Sequence, residues 1–372
     1  MVAVKLLRCY RCKKKFSARR IIFECDRCGG SLDIEYDYDE IKKHILKEEF
    51  KRACVSHWKY WPFYPIEDLT RIVSMEEGGT PLILDKESGF FFKLECVNPT
   101  GSFKDRGSTV EISKVVELGV NEIVCASTGN MGASIAAYAS KAGIKATIFV
   151  PEFAPKVKAE QIKSYGAKVV FVKGSYTDAL NKTKELRRKK GVYLTGDYPY
   201  RCEGEKGVGF EIIDQLDWQI PDYVCCPIGN GTLLYGVYKS FAELKEVGLI
   251  KRLPRLVGVQ AKGCNPVVRA FHKDMDELPK LKKTKTVAGA INCPDPVDGL
   301  KALHAIRKTS GDSIDVSDRE IMKARSELGK KGIYAEPAGA VSYAGAKKLG
   351  LKGRVVCVVT GHGLKDPFVK LK

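Results

Sequence analysis

An α/β chain, with parallel-type sheets flanked by helices and a separate metal-stapled segment ahead of them, is the architecture that three features of this 372-residue sequence predict. From about Gly79 onward, short apolar runs alternate with helical segments, and continuous apolar strands separated by helices mean a parallel sheet covered on both faces. Two Cys-x-x-Cys pairs precede that pattern, within residues 9–28. The 44% hydrophobic content suffices for a substantial core, and the length corresponds to two or three folding units at roughly 150 residues each.

The N-terminal element comes first. Cys9-Tyr10-Arg11-Cys12 and Cys25-Asp26-Arg27-Cys28 lie about a dozen residues apart, and Gly29 and Gly30 follow the second pair where a tight turn must let backbone amides face the sulfurs. Four thiolates on two short hairpins complete the closed tetrahedral shell of a structural zinc, and the metal replaces a core too small to form alone. Residues 1–36 are therefore read as a zinc ribbon with Cys9, Cys12, Cys25 and Cys28 as ligands. A redox reading fits less well, because dithiol pairs of that kind come singly and open a helix within a βαβ unit. The basic run Arg11, Lys13, Lys14, Lys15, Arg19, Arg20 suits either a nucleic-acid contact or a solvated structural cap, and the cap is preferred.

Residues 37–78 read as a helix (DYDEIKKHILKEEF) followed by an aromatic, proline-bearing connector that packs. Beyond it, FFFKLE, EIVCAS, KATIFV, AKVVFV, DYVCCP, PRLVGV and RVVCVVT are expected strands. Helices are expected over Thr109–Gly119, Gly132–Ala142 and Thr177–Lys190, among others.

Composition excludes several classes. No apolar run approaches the roughly 18–20 residues of a membrane span, and charges interrupt MVAVKLLRCYRCKKKF where a signal peptide needs an apolar core. A soluble, cytoplasmic chain with no membrane partner is expected. Of the 13 cysteines, the nine outside the two pairs are scattered, many in apolar stretches, as reduced thiols in a core would be. The formal charge of +18 favours anionic partners, either nucleic acid or small phosphorylated and carboxylated metabolites.

Ligands of open α/β sheets collect at the carboxyl ends of the strands, so the loops there carry the chemistry. The first is Asn98-Pro99-Thr100-Gly101-Ser102-Phe103-Lys104-Asp105-Arg106-Gly107, where a Pro-Gly turn feeds a helix, with Ser102 or Thr100 available as cap. A lysine at a positive helix end has its ammonium destabilised, which is how an amine becomes nucleophilic toward carbonyls. The second loop, Ser127-Thr128-Gly129-Asn130-Met131-Gly132, offers hydroxyls, an amide and helix-start N–H groups suited to a carboxylate. The third, Gly229-Asn230-Gly231-Thr232-Leu233, has two glycines and helix-start amides suited to a phosphate, without a dinucleotide or P-loop fingerprint. The fourth is Thr360-Gly361-His362-Gly363-Leu364-Lys365-Asp366, and Glu336-Pro337-Ala338-Gly339-Ala340 opens a helix with proline at its first position.

Taken in order, NPTGSFKDRG, STGNMGAS, GNGT, EPAGA and TGHGLKD resemble the threonine synthases among the fold-type II pyridoxal-phosphate enzymes, several of which also begin with a Cys-x-x-Cys ribbon. The resemblance covers nearly the whole chain. It implies a two-domain body, with residues 79–110 and 201–372 forming a large cofactor-binding domain and residues 111–200 a small domain bearing the asparagine loop. The cofactor would lie in a cleft between the domains that closes over substrate.

The resemblance also implies residue roles. Lys104 would condense with pyridoxal 5'-phosphate and later shuttle protons. Asn130 would meet the ring hydroxyl, Gly229, Asn230, Gly231, Thr232 and Leu233 the cofactor phosphate, and Thr360 the pyridine nitrogen. Ser127, Thr128 and Gly129 would clasp the substrate carboxylate. Arg201 stands where members carry an arginine on the substrate phosphate, with Asn230 and Lys365 as lesser candidates. The implied activity is that of a carbon–oxygen lyase, forming L-threonine and phosphate from O-phospho-L-homoserine and water by γ-elimination and β-replacement. Family analogy adds a homodimer.

Two positions depart from the family pattern and bear on the substrate: Met131 replaces a common threonine, and Gly196-Asp197-Tyr198 precedes Pro199 where members often show a small hydroxyl and an asparagine. Alternative enzymes on the same scaffold are a cysteate synthase, taking O-phosphoserine and sulfite, and a threonine/serine dehydratase. From another class, a nucleic-acid-binding protein with a degenerate enzyme body is the least favoured, because the lysine and the phosphate loop are intact.

Overall fold

The computed structural model describes residues 4–18, 20–45, 50, 53–127, 129–152, 154, 156–174 and 176–367. The chain forms two compact units. Met1–Ile45, Tyr60–Glu77 and Asn98–Gly204 make the first; Leu46–Lys59, Gly78–Val97 and Glu205–Lys372 make the second.

The first unit opens with a three-stranded antiparallel sheet in the order Lys15–Ser17, Val4–Cys9, Leu32–Tyr36. Leu32, Ile34 and Tyr36 are buried in strict alternation, as a sheet with one covered face requires. A four-stranded parallel sheet follows, ordered Lys168–Val172, Lys145–Pro151, Glu122–Ala126, Tyr193–Thr195. The helices Lys104–Glu117 and Asn130–Lys141 bury Ile112, Val115, Ile135 and Tyr138 with Ile123, Val124 and Ile148 from the strands, and Phe23 of the N-terminal segment enters the same core. Among the described connector residues, Tyr60, Phe63 and Tyr64 are fully buried.

The second unit is built on six strands in the order Asp312–Val316, Arg255–Ala261, Tyr223–Pro227, Val355–Val358, Phe91–Lys93, Leu82–Leu84. All neighbours are parallel except the edge strand Leu82–Leu84, which runs antiparallel to Phe91–Lys93. Lys93 sits fully buried in this sheet, its ammonium donating to Thr80 O (2.7 Å), Glu211 Oε2 (2.7 Å) and Gln215 Oε1 (2.8 Å). Satisfying all three donors makes a buried ammonium tolerable. No helix among the described residues is long and apolar enough to cross a membrane.

Several local expectations are refined. The helix expected from Thr109 starts at Lys104 itself, and the helix after Asp37 spans only Tyr38–Lys43 as far as the described residues reach. Strands at Tyr193–Thr195 and Leu82–Leu84 are too short, at three residues, to stand out in sequence, and Asp312–Val316 is an edge strand with a polar-interrupted pattern. Within the first unit, the N-terminal three-stranded segment and the stretch from Asn98, including Lys104, group with the asparagine-loop sheet. The reason is local packing. Every residue from Asp105 to Val115 is buried.

Burial also sets the cysteine chemistry, pushing the Cys96 and Cys125 thiols up to about 12. At pH 8 both therefore remain protonated and non-nucleophilic, whereas Cys54 is exposed. Iodoacetamide applied to the native protein at pH 8 is expected to modify Cys54 and to leave Cys96, Cys125 and Cys226 untouched until denaturant is added. Mass spectrometry of the digested protein checks this, and native labelling of Cys125 at the rate of Cys54 would contradict the buried sheet.

Candidate active site

In the first unit, the turn before Lys104 is tied down from within the helix. Gly101, at φ +84°, takes the left-handed conformation, and its N–H donates to Asn98 O at 2.7 Å. The buried Asp105 carboxylate then accepts from Thr100 N (2.7 Å), Thr100 Oγ1 (2.5 Å) and Ser134 Oγ (2.6 Å). Neither Ser102 nor Thr100 caps this helix as expected. Phe103 occupies the cap position without a side-chain bond, and the first-turn acid Asp105, which the positive helix end favours, ties Thr100 of the preceding turn to the helix instead.

Lys104 emerges at this helix start with its ammonium 4.4 Å from the Phe103 ring centroid and 3.9 Å from Asp197 Oδ1. Asp197 is also 3.9 Å from Arg201 Nε, so one carboxylate faces both cations. Arg201 is fully buried: Nη2 donates to Lys104 O (2.8 Å), Nη1 to Ser108 Oγ (2.8 Å), and Glu111 Oε2 lies 3.8 Å from Nη1. Gly107 makes the approach possible, since a Cβ there would fall 2.7 Å from Arg201 Cγ. In the sequence, Asp197 stands out only as part of a departure from the family pattern that bears on the substrate. Its place beside Lys104 depends on the parallel pairing of Tyr193–Thr195 with Glu122–Ala126, which no local signal announces.

That pairing also sets the asparagine loop beside residues 196–197 at the carboxyl ends of adjacent strands. Ser127 Oγ accepts from Gly129 N (3.1 Å) and Gly132 N (2.8 Å), closing the loop over the start of helix Asn130–Lys141. Two of the amides expected to clasp a carboxylate thus bind Ser127. Asn130 is buried at the first helical position. The buried Lys158 lies across Gly129, its Cδ in the space a Cβ would need; nothing in the sequence had singled this lysine out. Thr128 lies outside the described residues.

In the second unit, the parallel strands Tyr223–Pro227 and Val355–Val358 are neighbours, with Cys225 opposite Cys357, so Gly229–Leu233 and Thr360 leave the same edge of the sheet. Gly231 has φ +95°, and a Cβ on it would stand 2.6 Å from Asp298 O; one on Gly229 would meet Ile291 Cα at 3.2 Å. Helix Thr232–Glu246 starts here without a side-chain cap. Asn230 turns its Oδ1 toward Cys293 Sγ (3.1 Å) and Val297 N (3.2 Å), which draws residues 291–298 onto the loop. Thr360 and Lys365 are buried, and Gly339 of the expected proline-started helix, Pro337–Lys348, packs on the Thr360–Gly361 backbone. His362 caps the short turn Gly363–Lys365, its Nδ1 accepting from Leu364 N at 3.3 Å.

These residues suit pyridoxal phosphate. In the second unit, an uncapped helix start beside the closely packed Gly229 and Gly231 offers phosphate chemistry; in the first unit, taken by itself, an amine stands at a helix start. Two residues before Lys104, the buried Ser102 Oγ has no hydrogen-bond partner among the described residues. An unsatisfied buried hydroxyl costs about 1–3 kcal/mol, which a bound polar group would relieve. The four N-terminal thiols also form one cluster, all sulfurs lying within 4.8 Å of one another.

Comparison with known proteins agrees with this chemistry. The family described as pyridoxal-phosphate dependent enzyme matches residues 73–361. Threonine synthase of Methanocaldococcus jannaschii is 44% identical, over 99% of this chain and 94% of its own length. That of Methanosarcina acetivorans is 42% identical, over 97% and 92%. Among solved structures, threonine deaminase isoform 2 from Solanum lycopersicum superimposes with a TM-score of 0.69 at 20% identity, covering 95% of this chain and 89% of that one. Maize serine racemase gives 0.67 at 24% identity, covering 76% and 88%. At such identity the structures share the fold, while the near full-length sequence relatives define the family: the chain belongs to the pyridoxal-phosphate-dependent enzymes and, among them, to the threonine synthases.

Proposed function

We propose that the chain converts O-phospho-L-homoserine and water to L-threonine and phosphate, using pyridoxal phosphate held by the residues described above. The observation that carries this is Lys104: an amine at a helix start, its main-chain carbonyl bound by Arg201 and its ammonium facing Asp197, in a chain similar over its whole length to threonine synthases. When bound, pyridoxal phosphate supplies an aldehyde for an amine to condense with and a conjugated ring that draws electrons from substrate carbon. Gly229–Leu233 hold its phosphate, Asn130 its ring hydroxyl and Thr360 its pyridine nitrogen. A neutral threonine hydroxyl there, unlike a carboxylate, leaves the nitrogen largely unprotonated and favours elimination and replacement over transamination.

Lys104 Nζ takes the proton from the substrate's α-carbon, gives it back to the reacting substrate, and as a neutral amine again takes one from the β-carbon as phosphate leaves. Protonation at the γ-carbon and addition of water at the β-carbon complete the balance, work that needs an amine free to alternate between charged and neutral states. Ser127, Thr128 and Gly129 orient the substrate carboxylate. Arg201 serves the leaving phosphate while keeping its bonds to Ser108 Oγ and Lys104 O, since a guanidinium carries five N–H donors. A cytoplasmic homodimer with the large and small domains delimited above belongs to the same proposal.

The four-cysteine cluster is proposed as a structural zinc site. Cys9 and Cys28 Sγ lie 3.5 Å apart, as do Cys12 and Cys25 Sγ. A tetrahedral ion with bonds of about 2.3 Å sets sulfurs about 3.8 Å apart. Gly30 allows this closeness, since a Cβ on it would sit 3.1 Å from Cys9 Sγ.

Two predictions follow from these assignments. The purified, cofactor-loaded protein is expected to release phosphate and L-threonine in equal amounts from O-phosphohomoserine, and Lys104→Ala to lower that rate by at least roughly 10²–10⁴-fold. Cysteate formed from O-phosphoserine and sulfite, or an oxo acid formed from threonine with no phosphate released from O-phosphohomoserine, would overturn the substrate assignment. Elemental analysis should find about one zinc per chain, and Cys25→Ser should lose it and melt earlier; an unchanged metal content would refute the site.

A further inference from the structure

The N-terminal ribbon touches the segment that carries Asp197 and Arg201. Phe23, between the two cysteine pairs, meets Tyr198 edge-on at 5.2 Å and 75°, and Tyr193 at 5.0 Å and 74°. Both are favourable arrangements for aromatic pairs. The Arg187 guanidinium lies 4.3 Å over the same Phe23 ring, and Lys184 pairs with Glu24 at 2.9 Å. At a second point, Tyr36, on the last ribbon strand, donates its hydroxyl to Glu203 Oε2 at 2.8 Å, with both residues buried. One contact therefore grips the segment beside Asp197, the other within helix Pro199–Glu205.

That segment in turn lies against the start of the Lys104 helix with almost no space between backbones. A Cβ on Gly204 would collide with Arg106 O, and one on Gly107 would come within 3.0 Å of Arg201 O. Arg201 adds its bond to Lys104 O. Interfaces this close transmit displacement, because neither backbone can shift without moving the other.

We propose that the ribbon is a positioning device for catalysis: Phe23 and Tyr36 hold residues 196–205, which hold Lys104 and Asp197 in register. The four cysteines then serve the reaction from outside it. Phe23 sits in an irregular stretch two residues before Cys25, so its placement depends on the cysteine cluster rather than on strand pairing.

The proposal rests on Lys104 being the reacting amine, and the test separates the two claims. Amide hydrogen exchange is measured on the full-length, cofactor-loaded protein and on Phe23→Ala and Tyr36→Phe, together with kcat and KM. In Phe23→Ala, exchange of peptides covering residues 196–205 is expected to rise about tenfold or more while strand Tyr223–Pro227 stays protected. A displaced reacting group costs rate more than binding, so kcat should fall about tenfold to a hundredfold with a smaller change in KM. Tyr36→Phe, which removes one oxygen and little packing, should give the same pattern at lower amplitude. Unchanged exchange at 196–205 in both variants, or a rise equal in residues 196–205 and 223–227, would overturn the proposal. So would a full kcat alongside loosened 196–205 amides. A wild-type protein inactive on O-phosphohomoserine would refute the reaction assigned above and leave the exchange result standing.

Discussion

The approach of two backbones at Gly107 and Gly204, locked by the Arg201 guanidinium, is the constraint on which the first unit depends. Arginine suits it because its planar fork donates in fixed directions, here to Ser108 Oγ and Lys104 O at once. Both glycines are required by space: one admits the arginine stem, the other the Arg106 carbonyl. The helix start bearing Lys104 is thereby fixed by a neighbouring segment as well as by its own hydrogen bonds.

Charge is arranged around that constraint with a sign opposite to the chain as a whole. The molecule carries +18, yet three carboxylates gather at this helix: Asp105 in its first turn, Asp197 facing Lys104, and Glu111 near Arg201. A buried guanidinium without such partners would cost several kcal/mol. Glu111 also accepts from Gly196 N at 3.2 Å, which couples the loop carrying Asp197 to the helix carrying Lys104. The positive surplus lies elsewhere, as in the last turn of helix Tyr176–Lys190 with Arg187, Arg188, Lys189 and Lys190.

Much of this was legible in sequence. Apolar runs such as EIVCAS and DYVCCP read as buried parallel strands because they are covered on both faces, and the loops after them were singled out from that topology. The close packing at Gly229 and Gly231 and the clustering of the four N-terminal cysteines were legible because glycine alone admits such an approach and because the two Cys-x-x-Cys pairs repeat one spacing. What escaped notice is non-local. The short strand Tyr193–Thr195 carries no periodic signal, yet its pairing delivers Asp197 to Lys104. Lys158 reaches Gly129 from a helix whose own pattern is unremarkable, and Thr100, an expected cap, instead gives its N–H and hydroxyl to Asp105, on which Ser134 also converges from another helix. The role of Phe23 was hidden for the same reason, since a lone aromatic between cysteine pairs reads as ribbon core.

One measurement goes most directly to the centre: borohydride reduction of the protein supplied with pyridoxal phosphate, followed by peptide mapping of the pyridoxyl group. A single adduct on Lys104 Nζ is the predicted result, because among the described residues Lys104 is the lysine that joins a helix start to the Asp197 carboxylate. An adduct on another lysine, such as Lys158, or no adduct at all, would contradict the account at its foundation.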